Sequence, residues 1–161
     1  MTLIERLIEY SYPHKTQEIG LVMNRELVTE IYNSTPKNCL CFASTGGDGV
    51  HFSILKGFEP DDSPVVMTVP MCFDNENMII AESMKEFLDL GCRYGYFCLE
   101  QLCYDFESTV LDIEEHSARD LEYQDLILLS EEFDLSPLSG IGERIKHLNE
   151  KYMNSLQIET T

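Results

Sequence analysis

The spacing of apolar residues changes along this chain, and each change marks an element. Leu3, Ile4, Leu7 and Ile8 recur at helical spacing behind Thr2-x-x-Glu5, a capping box whose hydroxyl and carboxylate satisfy two orphan backbone N–H groups. Pro13 closes that helix. Leu27, Val28 and Ile31 keep the same spacing and predict a second helix that starts after Asn24 and stops before Pro36. From Cys39 to Leu55 the period drops to two. Leu40 and Phe42 fall on one side of the first run and Cys39, Cys41 and Ala43 on the other, which is the pattern of a strand buried on both faces. In the second run Val50, Phe52 and Ile54 alternate with His51, Ser53 and Leu55. Ser44-Thr45-Gly46-Gly47-Asp48-Gly49 joins the runs with the glycines and the Asp-Gly pair that a tight hairpin uses. This is the central hairpin of the chain.

The remainder follows in the same way. Val65 to Val69 predicts a strand that bends or lies near an edge, because Pro70 follows it. After the Asp74-Asn75-Glu76-Asn77 turn, Met78 to Ala81 predicts another. Ser83-x-x-Glu86 opens a helix with Met84, Phe87 and Leu88 on its stripe and Gly91 as its stop. Leu99, Leu102, Cys103 and Phe106 keep helical spacing. Further helices lie around Leu126, Leu129 and Phe133, and along Ile141, Ile145, Leu148 and Tyr152, with Pro137 between them and a polar tail after Leu156. Helices at both ends with strands between them are an α+β arrangement, expected as one domain over residues 1–161. Its core is expected on Leu40, Phe42, Val50, Phe52, Ile54, Val66, Phe87 and Leu88.

Composition narrows the picture. At 43% hydrophobic and 10% aromatic, 161 residues hold enough apolar surface for a real core. No apolar run approaches the ~20 residues that span a bilayer. The N-terminus carries Glu5, Arg6 and Glu9 within its apolar stretch, unlike a secretory signal, so a cytoplasmic protein is expected. Cys39, Cys41, Cys72, Cys92, Cys98 and Cys103 sit among apolar and aromatic residues, where a thiol behaves as a small hydrophobe. Cys39-x-Cys41 has no C-x-x-C to complete a zinc site. Reduced thiols and no cofactor are therefore expected.

Charge changes the picture most. There are 29 acidic residues against 11 basic, a net charge of −18. Between Asp105 and Asp134 the chain has eleven acids and one base, Arg119. Such acidity either serves solubility alone or also attracts a basic protein, and in both cases it repels a phosphate backbone and disfavours nucleic acid.

Candidate chemistry is sparse. The Ser44–Gly49 turn lacks the Gly-Lys-Ser/Thr ending of a phosphate loop and leads into a strand, not a helix. Asp48 and His51 could share a metal or form an acid–base pair, with Cys41 or Glu82 as a further participant; that is the alternative reading, a small hydrolase or ligand-binding protein. His14, His116 and His147 are scattered. No cysteine has the basic surroundings that make a nucleophile. Tyr94-Gly95-Tyr96-Phe97 offers rings of the kind that anchor interfaces.

The order of these pieces resembles the SUKH superfamily, the Smi/Knr-like group that includes many bacterial toxin-immunity proteins. The resemblance covers about residues 25–135. It lies in the Gly46-Gly47-Asp48-Gly49 turn, the Val50-His51-Phe52 strand, Pro64-Val65-Val66-Met67 and Glu86-Phe87-Leu88. It implies a mixed, mostly antiparallel sheet flanked by helices. It also implies a binding role, neutralising a toxin domain, without catalysis. Gly46, Gly47, Asp48, Gly49 and Phe52 carry over as fold-defining. The expected partner surface combines Tyr94 and Tyr96 as anchors with Glu114, Glu115, Asp120 and Glu122 as steering charges. Its partner is a basic protein, such as a toxin domain.

Overall fold

The computed structural model describes residues 1–13, 15–29 and 32–158. Thr2 and Glu5 form the full capping box, each side chain accepting the other's N–H at 3.1 Å, and open α1 (Leu3–Ser11). The next element is a strand, β1 (Val22–Val28), where the apolar spacing predicts a helix. Three apolar residues in a short window satisfy either period, and tertiary pairing decides between them. Met23 and Leu27 are half-buried against the core, and Arg25 and Glu26 are exposed. The Asn24 amide donates to the Cys41 carbonyl at 3.3 Å within an irregular stretch of the pairing. Ile31, the last apolar position of the predicted helix, lies outside the described residues.

The central hairpin is present as β2 (Cys39–Ser44) and β3 (His51–Leu55). Asp48 has φ 54° and Gly49 φ 72°, and the Val50 N–H returns to the Gly47 carbonyl at 3.1 Å. Two successive positive φ values characterise the type I′ turn, whose twist matches that of its strands. β4 (Val65–Thr68) and β5 (Asn77–Ala81) complete a sheet of order β1-β2-β3-β4-β5, antiparallel in all four pairings. Four helices follow: α2 (Met84–Gly91), α3 (Phe106–Glu115), α4 (Gln124–Phe133) and α5 (Ile141–Tyr152). A 3-10 helix, Phe97–Cys103, precedes α3. The α+β class read from the sequence is the observed one.

Both faces of the sheet are covered. Phe42, Phe52, Ile54, Val65, Met67 and Ile80 join the main core beneath α1, α2 and α4. Cys39, Leu55, Val66 and Ile79 form a smaller cluster with Leu148 of α5. Leu40 differs from expectation in being only half-buried, at the margin of the main core. At the centre, the Phe87 ring lies 5.4 Å from Phe42, 4.9 Å from Phe52 and 5.2 Å from Tyr96. Burying each such side chain contributes about 1.5–3 kcal/mol. α5 also runs along the open side of β5. The Asn149 carboxamide accepts from the Ile79 N–H and donates to the Ile79 carbonyl, both at 2.9 Å, taking the place of a sixth strand.

Candidate functional site: an acidic groove lined with rings

Two glycines bring distant segments together at the start of the 97–103 helix. The turn over residues 17–19 ends at Gly20, φ 82°, where a Cβ would stand 2.6 Å from the Phe97 nitrogen and 2.8 Å from its ring. No other residue lets the two chains lie this close. Gly95, φ 91°, turns the chain between Tyr94 and Tyr96, and the Tyr96 N–H then donates to the Ile19 carbonyl at 2.9 Å. The α3–α4 connection closes the third side. There Glu122 has φ 58°, and the Tyr123 N–H donates to the Ala118 carbonyl at 2.9 Å.

These three segments enclose a groove of about 560 Å³. Its rings are Tyr94, Phe97 and Tyr123; Phe97 is 47% and Tyr123 43% exposed. Glu18, Glu100, Glu122 and Asp125 supply its charge, and no Lys, Arg or His is among the described residues that line it. Tyr94 is held by stacking on His116, with ring centres 4.1 Å apart and planes 9° from parallel. Burial, and then the nearby Asp48 carboxylate, push the Glu100 carboxyl above its ordinary range. Beyond Glu100 the surface continues to Tyr104, 53% exposed. The Met71–Phe73 turn lies alongside, tied to the 97–103 helix by the Cys72 thiol donating to the Cys103 carbonyl at 3.5 Å. Phe73 is 75% exposed.

Of the residues expected to meet a partner, Tyr94 and Glu122 stand in this groove. Tyr96 does not, and its role as a surface anchor is corrected. It is fully buried, packs on Gly91 and Phe87, and donates its hydroxyl to the Leu88 carbonyl at 2.7 Å. Glu114 is half-buried and has a structural contact besides its charge. Its carboxylate accepts from the Ile141 N–H at 3.0 Å and caps α5, whose N-cap residue, Gly140, has no side chain to do so. Glu115 and Asp120 are exposed but outside the groove lining.

The residues of the enzymatic alternative are not brought together. Asp48 is exposed on the hairpin turn. His51 is buried under the stacked Tyr32 ring, and its Nδ1 contacts the Gly49 carbonyl at 2.8 Å and its Nε2 the Thr35 hydroxyl at 2.9 Å. The carbonyl can only accept, so Nδ1 carries the proton and Nε2 receives one from Thr35. Burial lowers the His51 pKa. Burial raises that of the Cys41 thiol, which donates to the Ala43 carbonyl at 3.5 Å. Glu82 lies against α5. Hydrogen bonds from Lys151 at 2.8 Å and Tyr152 at 2.6 Å, foremost among its contacts, lower its carboxyl to about 2. The six cysteines are unbridged, and burial takes Cys39 and Cys98 up to about 12, far from a reactive thiolate.

Sequence reasoning singled out the aromatic run that holds Phe97 but missed Glu18, Glu100, Tyr123 and Asp125. Glu100, Tyr123 and Asp125 carry no local signal that joins them to Tyr94. Glu18 has none either, since the Gly20–Phe97 contact and the Tyr96–Ile19 hydrogen bond bring it to the groove. Among the described residues no cluster of three His, Cys, Asp or Glu is placed to hold a metal ion, and no helix is long and apolar enough to cross a membrane. Compared with protein-family models, curated proteins and solved structures, the chain matches none.

Proposed function

We propose that this chain is a non-enzymatic protein-binding domain of the toxin-immunity type, and that its partner is a basic protein such as a toxin domain. One observation carries the reading: exposed rings and four carboxylates converge on one groove that has no Lys, Arg or His among its described lining residues. Rings of this kind supply binding energy at interface centres, and surrounding charge supplies orientation and speed of encounter. The resemblance to SUKH immunity proteins points the same way. A net charge of −18 makes nucleic acid an unfavourable partner. Unbridged cysteines suit a reducing, cytoplasmic setting.

The test is capture on the immobilised chain from a bacterial lysate, identification by mass spectrometry, and a rate series on the purified partner. A basic partner whose association slows steeply between low and physiological salt, with dissociation nearly constant, supports the proposal. A captured protein that is neutral or acidic, or an association rate indifferent to salt, overturns it.

A further inference from the structure

We infer that the groove between Phe97 and Tyr123 receives an arginine side chain of the partner. The inference rests on the proposed binding of a basic protein and names what enters the site. Five rings among the described residues carry a cation from the chain itself. Arg6 lies over Phe133, Lys15 over Tyr10, Arg25 over Tyr12, Lys146 over Phe106 and Lys151 over Tyr152, at 4.4 to 5.6 Å. Phe97 and Tyr123 have no such cation among the described residues, although they stand beside four carboxylates. The groove therefore presents both halves of a cation site, ring faces and counter-charges, with the cation itself left for a partner to bring.

Charge alone does not choose between arginine and lysine; the shape of the site does. A guanidinium is planar, stacks on a ring and offers a fork of donors to carboxylates approaching from its edge. Here the rings come from Phe97 and Tyr123, and the carboxylates from three separate segments at Glu18, Glu100 and Glu122. An ammonium group makes no stack and is more strongly hydrated. At about 560 Å³ the groove has the size of a pocket for a small group. The exposed Tyr104 and Phe73 beyond Glu100 suit apolar residues flanking that arginine.

The experiment uses the whole chain and three short peptides: acetyl-Gly-Arg-Gly-amide and its lysine and citrulline counterparts. Citrulline keeps the shape of arginine and removes the charge. Nuclear magnetic resonance titration should show saturable shifts centred on Phe97, Glu122 and Tyr123 with the arginine peptide. The lysine peptide should bind roughly two- to fivefold more weakly, because it lacks the planar stack and the forked donors of the guanidinium. Citrulline should produce no saturable shift. Tyr123→Ala and Glu122→Gln alter exposed side chains, and each should weaken the arginine response severalfold. Equal response to arginine and lysine, shifts spread over the whole acidic surface, or an arginine response unchanged in both variants overturns the inference. In any of those cases, a captured basic partner that still associates in a salt-dependent manner leaves the proposed function standing. If that is absent too, both fall.

Discussion

The ring of Tyr96 occupies the space that a side chain at Gly91 would need. A Cβ on Gly91 would lie 2.2 Å from the ring's Cε1. Five residues apart, the two close the end of α2 against the aromatic centre of the core, so Gly91 serves as a seat for Tyr96. Gly91→Ala must push a fully buried ring into Phe87 and its neighbours. Overpacking of that kind costs about 1–3 kcal/mol. Chemical denaturation of the variant should show that loss, and an unchanged midpoint would contradict the packing described.

That pair also explains where sequence reading stopped. The hairpin was legible because an Asp-Gly turn and a period of two are local signals, and Asp48 and Gly49 adopt the positive φ values they advertise. β1 was not, because Met23, Leu27 and Val28 fit either period until β2 is beside them. The burial of Tyr96 depends on the space left at Gly91, five residues away, and on the Phe87 ring, neither of which the aromatic run announces. Glu114 read as a surface charge because its duty, capping α5, is visible only when Ile141 is placed against it. The acidity of the 105–134 segment was plain in the sequence. Its convergence with Glu18 and Phe97 was not, since it depends on two chains in contact at Gly20.

Asn149 gives a second test. Asn149→Ala removes both hydrogen bonds to Ile79 and exposes the N–H and C=O of an edge strand. Leaving such groups unsatisfied costs about 1–3 kcal/mol. The variant should unfold at lower urea concentration and aggregate more readily at high protein concentration, as measured by light scattering. Wild-type behaviour in both would show that α5 does not guard the edge.

Acid should weaken the fold through His51. Its folded pKa lies below the unfolded value of about 6.5, so the unfolded chain takes up the proton first. The stabilisation is complete above pH ~6.5 and is lost as pH falls through the folded value. Denaturation midpoints at pH 7.5 and 5.5 should therefore differ more in the wild type than in His51→Gln. Equal slopes would mean that the buried imidazole titrates as it does in the unfolded chain.

Glu82 acts over a lower range. With its carboxyl held at about 2 by Lys151, Tyr152 and Arg144, its contribution is present above the unfolded value of 4.5 and disappears between pH 4.5 and 2. Glu82→Gln should flatten the acid limb of the stability curve in that window and leave the limb between pH 7.5 and 5.5 unaltered. A variant whose acid limb matches the wild type would contradict the contacts described at Glu82.

The central claim is that the groove is where a partner binds, and that acidity elsewhere only assists encounter. Two variants decide it against a purified basic partner: Tyr123→Ala with Glu122→Gln in the groove, and Glu115→Gln with Asp120→Asn outside it. The measurement is the dissociation constant of each by surface plasmon resonance at physiological salt. Loss of an anchor that the partner would cover, together with its counter-charge, should weaken binding by about tenfold or more, mainly through faster dissociation. The outside pair should change affinity by less than about threefold, through the association rate alone. Equal losses in the two variants, or a groove variant that binds as the wild type does, would contradict the claim.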